Sequence, residues 1–436
     1  MEDPTSPASE GHRSSALGNR DFQFLWVAGL VSNAGDFVLA IGLPFFVFEL
    51  TGSTLDTGLT LAAFLGPQIA LSSFAGVFVD RWDRRWTMIV MDLLLAAGLL
   101  PLLFVQTTSA LWIVYGVAVL ESCLSQFFNP AEGALLPALV GEEHLVEANA
   151  LNSSGLQASR LVGSASGGLV VGFWGLMGVS LVDSASFLAS ALLLTLIAAR
   201  PTVLADAGKG VVRGIVRSLR KVGAEWRDGL RISLETLRGR VVLVFTAITS
   251  FGEGVFGALV VPFIVAVLHG NGPDYGWFSA IQAVGGIVGG LLVARYGGKW
   301  APTTVLPITA VVFGVIDIAI FTYPLVLAGI GLAFVLVGIV GLPGAALISV
   351  FSSLRQTAVP DSHRGRFLGA AAMTGSSTAL GGIILASVLS GSVGVIPVLE
   401  IQGIGYVLAG VVAWRLLRVP TPTRVRGPEL LRVPPE

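Results

Sequence analysis

The sequence predicts an all-α membrane protein of twelve transmembrane helices in two pseudo-symmetric six-helix bundles. Three observations predict it: long apolar runs, basic residues confined to one side, and an internal repeat near half the chain length. The 436 residues are 54% hydrophobic and 12% charged, with a mean hydropathy of +0.82. Soluble domains carry about 25% charge, and 55 Gly suit close helix contact in a bilayer.

About 20 mostly apolar residues cross a bilayer as a helix, and backbone groups in hydrocarbon must be satisfied within each segment. Residues 1–21 are polar and read as a disordered cytoplasmic tail. Span 1, at 22–50, is too long for a signal-peptide core. Span 2, at 57–79, runs into the charged island Gly76–Trp86, GVFVDRWDRRW. Spans 3 and 4, at 87–106 and 109–135, turn at Gln106–Thr108. An acidic loop with Glu142, Glu143 and Glu147 precedes spans 5 and 6, at 149–173 and 176–199, which turn at Trp174–Gly175. A basic linker at 200–240 leads to span 7, at 241–268. Spans 8 to 12 follow at 275–294, 302–322, 325–350, 367–391 and 396–417, and a tail occupies 418–436. The first bundle is then 22–199 and the second 241–417.

Twenty-five of the 26 Lys and Arg fall in the two tails, the even-to-odd loops and the central linker. The remaining one is Arg160, inside span 5. The positive-inside rule then places both termini in the cytoplasm, with the chain a multi-pass protein of the plasma membrane. The acidic 4–5 loop joins that side on parity alone. In the linker, Arg213, Arg217 and Arg220 share one helical face, the pattern of a basic helix on an anionic lipid surface.

The repeat has two parts in one register. Gly35-Asp36 with Pro44-Phe45 in span 1 matches Gly252-Glu253 with Pro262-Phe263 in span 7. The island GVFVDRWDRRW matches Gly290–Trp300, GLLVARYGGKW, where Ala294 stands in place of Asp80.

Two six-span halves joined by a basic linker resemble the major facilitator transporters. Gly76, Asp80, Arg81, Arg84 and Arg85 resemble that superfamily's loop between spans 2 and 3. The resemblance covers the whole chain. Asn129-Pro130-Ala131, Asp183 with Phe187, and Arg364-Gly365-Arg366 narrow it to the efflux branch that includes macrolide exporters and the enterobactin exporter. It implies proton-driven export of an amphipathic organic molecule. It also implies that the 2–3 loop latches the halves on the cytoplasmic side, with Asp80 the first residue to test. Span 4 departs from proton-antiporting relatives in lacking Arg between Leu111 and Leu120. Ser164 replaces Pro in the run Gly163–Gly168, which resembles the antiporter motif.

A charge inside a span costs about 2.5–3.5 kcal/mol at the helix centre, so each needs a reason. Asp36 and its counterpart Glu253 are the candidate proton-coupling groups. Glu121 in span 4 and Arg160 in span 5 are expected to pair. Asp317 is expected as a peripheral or interface residue, and Asp92 and Asp183 as structural positions. Phe24, Trp26, Phe37, Phe251 and Phe256 suit an aromatic or apolar ligand, although such side chains more often face lipid or core.

No nucleophile–base set, metal-ligand cluster or Walker pattern Gly-x4-Gly-Lys-Ser/Thr is present, and Cys123 is single. The expectation is a transporter rather than an enzyme, with no cofactor or metal, working as a monomer on a small molecule and protons and not on nucleic acid. The alternatives are a siderophore or lysophospholipid carrier on the same fold, or a non-transporting membrane receptor. The receptor reading leaves the intramembrane carboxyls unexplained.

Overall fold

The structure, a computed structural model, describes residues 15–79, 82–198, 226–297, 301–360 and 363–417. Asp80, Arg81, Lys299 and the Arg213–Arg217–Arg220 stripe lie outside the described residues.

The helices of the first half are α1 (Arg20–Thr51), α2 (Thr54–Val79), α3 (Arg84–Leu99, continued by a 3-10 turn Leu100–Phe104), α4 (Leu111–Val140), α5 (145–174) and α6 (176–195). Those of the second are α7 (Leu237–Pro262), α8 (Gly272–Tyr296), α9 (Pro302–Thr322), α10 (Gly331–Thr357), α11 (Arg364–Val393) and α12 (Val395–Leu417). Helix runs unbroken through Leu145–Thr195 except at Gly175, at φ 59°, ψ −156°. Fifty-one residues would rise about 76 Å, over twice a hydrocarbon core of about 30 Å. The run is therefore two spans, turned at a conformation open only to glycine.

Several helix starts are written in local chemistry. Asn19 caps α1, accepting from the Asp21 and Phe22 amides at 2.9 and 3.2 Å. Asp83 caps α3 through the Trp86 amide at 2.9 Å, so α3 begins three residues before the expected boundary. Thr236 caps α7 through the Gly239 amide at 3.0 Å. The linker consequently ends earlier than 240, with a further helical stretch at 226–235. Asn271 and Asp274 form a capping box at α8. The largest correction is span 10, which starts at Gly331 rather than 325. Residues 325–330 are apolar, but Gly329 sits at φ 108°, and its carbonyl accepts from the Tyr323 hydroxyl at 2.8 Å. That turn holds the segment out of helix.

The halves pack alike. In the first, α1 packs on α5, α2 on α4, and α3 on α4 and α6; in the second, α7 packs on α11, α8 on α10, and α9 on α10 and α12. Buried serines tie α6 to α3, Ser180 to the Leu99 carbonyl at 2.8 Å and Ser184 to Ala96 at 3.0 Å. The halves meet through the equivalent pairs α5–α8 and α2–α11.

These junctions lie at the end opposite the termini. At α2–α11, Thr54 donates to the Ser387 carbonyl at 3.2 Å and meets the Ser390 hydroxyl at 2.9 Å. At α5–α8 the backbones are so close that a Cβ on Gly168 would overlap Gly276 and the Gly272 carbonyl. Phe45 stacks on Tyr275 across the halves at 6.2 Å. One apolar core, with Leu43, Val171, Phe263 and Val398 among its members, spans both halves here. At the terminus-bearing end the core divides in two. One cluster, with Phe22, Met88, Leu135 and Leu194, belongs to the first half. The other, with Phe245, Leu306, Leu354 and Phe367, belongs to the second. Among the described residues the molecule is sealed at one end and parted at the other. The acidic 4–5 loop lies at the parted end, where Glu147 accepts from the Ala16 amide at 2.9 Å.

Candidate functional site

Two carboxyl clusters lie midway along the helices, one per half. In the first, Asp36 on α1, Glu121 on α4 and Asp183 on α6 are within electrostatic range of one another. Gly35 makes this possible, because a Cβ there would strike Asp183 and Ser186, and without one α1 seats directly on α6. Ser186 donates to the Asp183 backbone carbonyl at 2.8 Å and reaches its carboxyl at 3.2 Å. One oxygen each of Asp36, Glu121 and Asp183 is buried with no hydrogen-bond partner among the described residues. Asp92 on α3, fully buried, lies within range of Asp36 and Glu132.

In the second cluster Glu253 on α7 accepts a hydrogen bond from the Tyr406 hydroxyl on α12, with Gln402 alongside. Tyr406 is fixed by Phe313 of α9, ring centroids 4.5 Å apart. Asp317 is within range of Glu253 and Glu400. It is only 4% exposed, which makes it the interface residue of the two expected alternatives: Gly314 and Gly403 bring α9 and α12 into backbone contact one turn away.

The expected Glu121–Arg160 pair does not form. Glu121 is surrounded by the acids of its own half, whereas Arg160 on α5 lies within electrostatic range of Glu253. Arg160 and Glu253 are both exposed and belong to opposite halves, so they share the cleft between them. Asp183 enters the site although its type and position read as structural. Glu400, Tyr406 and Gln402 were not anticipated. One signal was available: Glu400 follows Asp183 by the same 217 residues that separate Glu253 from Asp36.

Of the 2–3 loop, Gly76 lies within α2, and the two described arginines are engaged inside their own half. Arg84 donates to the Ala134 carbonyl of α4 at 2.8 Å. Arg85 donates to the Leu194 carbonyl at 2.8 Å and to that of Thr195, at the end of α6. A cation there satisfies terminal carbonyls and meets the negative end of the helix dipole.

Chemically, each half offers acids that bind protons. Among the described residues no group of side chains is arranged to hold a metal ion. Among the described residues no cation lies against the first cluster, an arrangement in which close carboxyls can share protons.

The profile of the transmembrane secretion effector family matches residues 13–426. The chain is 28% identical over 416 residues to the multidrug efflux pump Tap of Mycolicibacterium fortuitum, covering 90% of this chain and 94% of that protein. It is 25% identical over 382 residues to macrolide efflux protein A of Streptococcus pyogenes, covering 86% and 90%. Among solved structures, a bacterial homologue of the iron transporter ferroportin in an inward-facing state aligns with a TM-score of 0.67 and 18% identity. That alignment covers 92% of this chain and 99% of that one.

Proposed function

The chain belongs to the transmembrane secretion effector family of the major facilitator superfamily, and on that premise we propose that it exports amphipathic organic molecules in exchange for protons. As a member it is a multi-pass membrane transporter of small molecules, not an enzyme. The observation that carries the finer reading is the pair Asp36 and Glu253. They occupy equivalent points on α1 and α7, and each belongs to a cluster of carboxyls within the spans.

In this reading the termini are cytoplasmic, the parted end opens to the cytoplasm, and the bundles 22–199 and 241–417 rock about the acids as rigid units. The α2–α11 and α5–α8 junctions are the outer gate. The 2–3 loop, with Asp80 and Arg81, is the latch of the opposite, outward-open state. Glu253 and Arg160 pair across the cleft when it narrows. Drug export is the substrate class favoured by the two efflux relatives.

Expression in an efflux-deficient host against a panel of amphipathic antibiotics and dyes tests the reading. Resistance to at least one compound is expected, and it should disappear when a protonophore collapses the gradient. Protonophore-insensitive resistance contradicts proton coupling.

A further inference from the structure

A polar cavity lies between α1, α4 and α5, nearer the parted end than the carboxyl clusters. It measures about 220 Å³ and is lined by Trp26, Asn33, Asn129, Glu132 and Asn152 with apolar Leu30 and Leu156. Its residues Asn129, Ser153 and Leu156 are exposed. Amides do not face hydrocarbon without cost, so the mouth belongs to the water-filled cleft.

The charge of this cavity is one-sided. The Asn33 amide nitrogen is committed to the Gly29 carbonyl at 2.6 Å, and that of Asn152 to Glu132 Oε1 at 3.1 Å. The Trp26 indole N–H is committed to the Leu151 carbonyl at 3.0 Å. One N–H of each of these groups is taken; among the described residues the second N–H of each amide, the Asn129 amide and the Ser153 hydroxyl stay open. The amide oxygens and the second oxygen of Glu132 remain as acceptors, and the indole ring remains as a π surface. The other charge within range is Asp92, also an acid. Among the described residues no ion pair neutralises Glu132. The carboxylate and the aromatic ring together suit an N–H cation, and the carboxylate repels an anion. The volume is below the 300–1,000 Å³ usual for a whole drug-sized ligand, so it fits a head group whose apolar remainder extends into the cleft.

We propose that this cavity is the head-group subsite for protonated organic amines, with Glu132 the specificity-determining residue. The proposal rests on the export reading and deepens it: the substrate's charge is held by Glu132, leaving Asp36 and Glu253 to handle protons.

Binding to the purified full-length protein in nanodiscs, by calorimetry, tests it without requiring transport. The probes are 4-phenylbutylammonium and its neutral analogue 4-phenylbutanol. The wild-type protein should prefer the ammonium by about tenfold or more. Glu132→Gln should bind both equally, Glu132→Asp should keep the preference, and Asp36→Asn should also keep it. A wild-type protein without preference overturns the proposal, as does a Glu132→Gln variant that retains it. Should Glu132→Gln bind neither probe, Glu132→Asp decides: a retained preference supports the subsite and a lost one overturns it. A protein that binds as expected yet moves no amine across proteoliposomes keeps the subsite and loses the export reading.

Discussion

Replacing Asp36 by Asn is expected to abolish gradient-driven transport while leaving expression and substrate counterflow intact. Asn matches Asp in shape and still makes hydrogen bonds, but it has no proton to release. The site tolerates neutrality structurally, because Asp36 has no cation partner and one of its oxygens is already without a hydrogen bond among the described residues. The loss is therefore specific to coupling. In inverted vesicles, substrate accumulation driven by an imposed proton gradient should fall to the level of empty vesicles. Exchange of labelled for unlabelled substrate at equal pH should continue. Full gradient-driven accumulation by Asp36→Asn would remove Asp36 from the coupling mechanism.

Replacing Gly168 by Val is expected to break the outer gate. A Cβ at this position overlaps the backbone of Gly276 and the Gly272 carbonyl. Backbone cannot yield as a flexible side chain can, so α5 and α8 must separate. Overpacking of this kind costs about 1–3 kcal/mol, and a bias of that size shifts a two-state equilibrium by roughly 5- to 150-fold. The state sealed opposite the termini loses population. The reporter is a cysteine in place of Ser387, which is 4% exposed within the α2–α11 junction, in a Cys123→Ser background. Its labelling by an impermeant maleimide added outside should accelerate in Gly168→Val, and transport should fall. Unchanged labelling would show that close α5–α8 contact does not hold the gate.

Much of the architecture was legible because hydropathy reports depth directly, and the number of spans reports which segments share an end. The twelve spans, the shared register of Asp36 and Glu253, and the common end of the termini and the 4–5 loop all follow from such signals. Failures came where depth is not enough. Span 10 was placed six residues early because residues 325–330 are apolar and only the left-handed turn at Gly329 keeps them out of helix. The partner of Arg160 was misassigned for a different reason. Sequence gives a residue's height in its helix, but the rotation of α5 against the second half decides that it meets Glu253 and not Glu121. Asp183 and Asp317 became site residues through glycine contacts, Gly35 on α6 and Gly314 against Gly403, whose consequences appear only when the helices are packed.

The claim on which the rest depends is that transport requires the α2–α11 junction to open. Thr54 and Ser390 place their hydroxyls 2.9 Å apart across it. The direct measurement is transport by Thr54→Cys with Ser390→Cys, in a Cys123→Ser background, before and after oxidation. Oxidation should form the cross-link and stop transport, and reductant should restore it. Transport at an undiminished rate by the fully cross-linked protein would contradict the account.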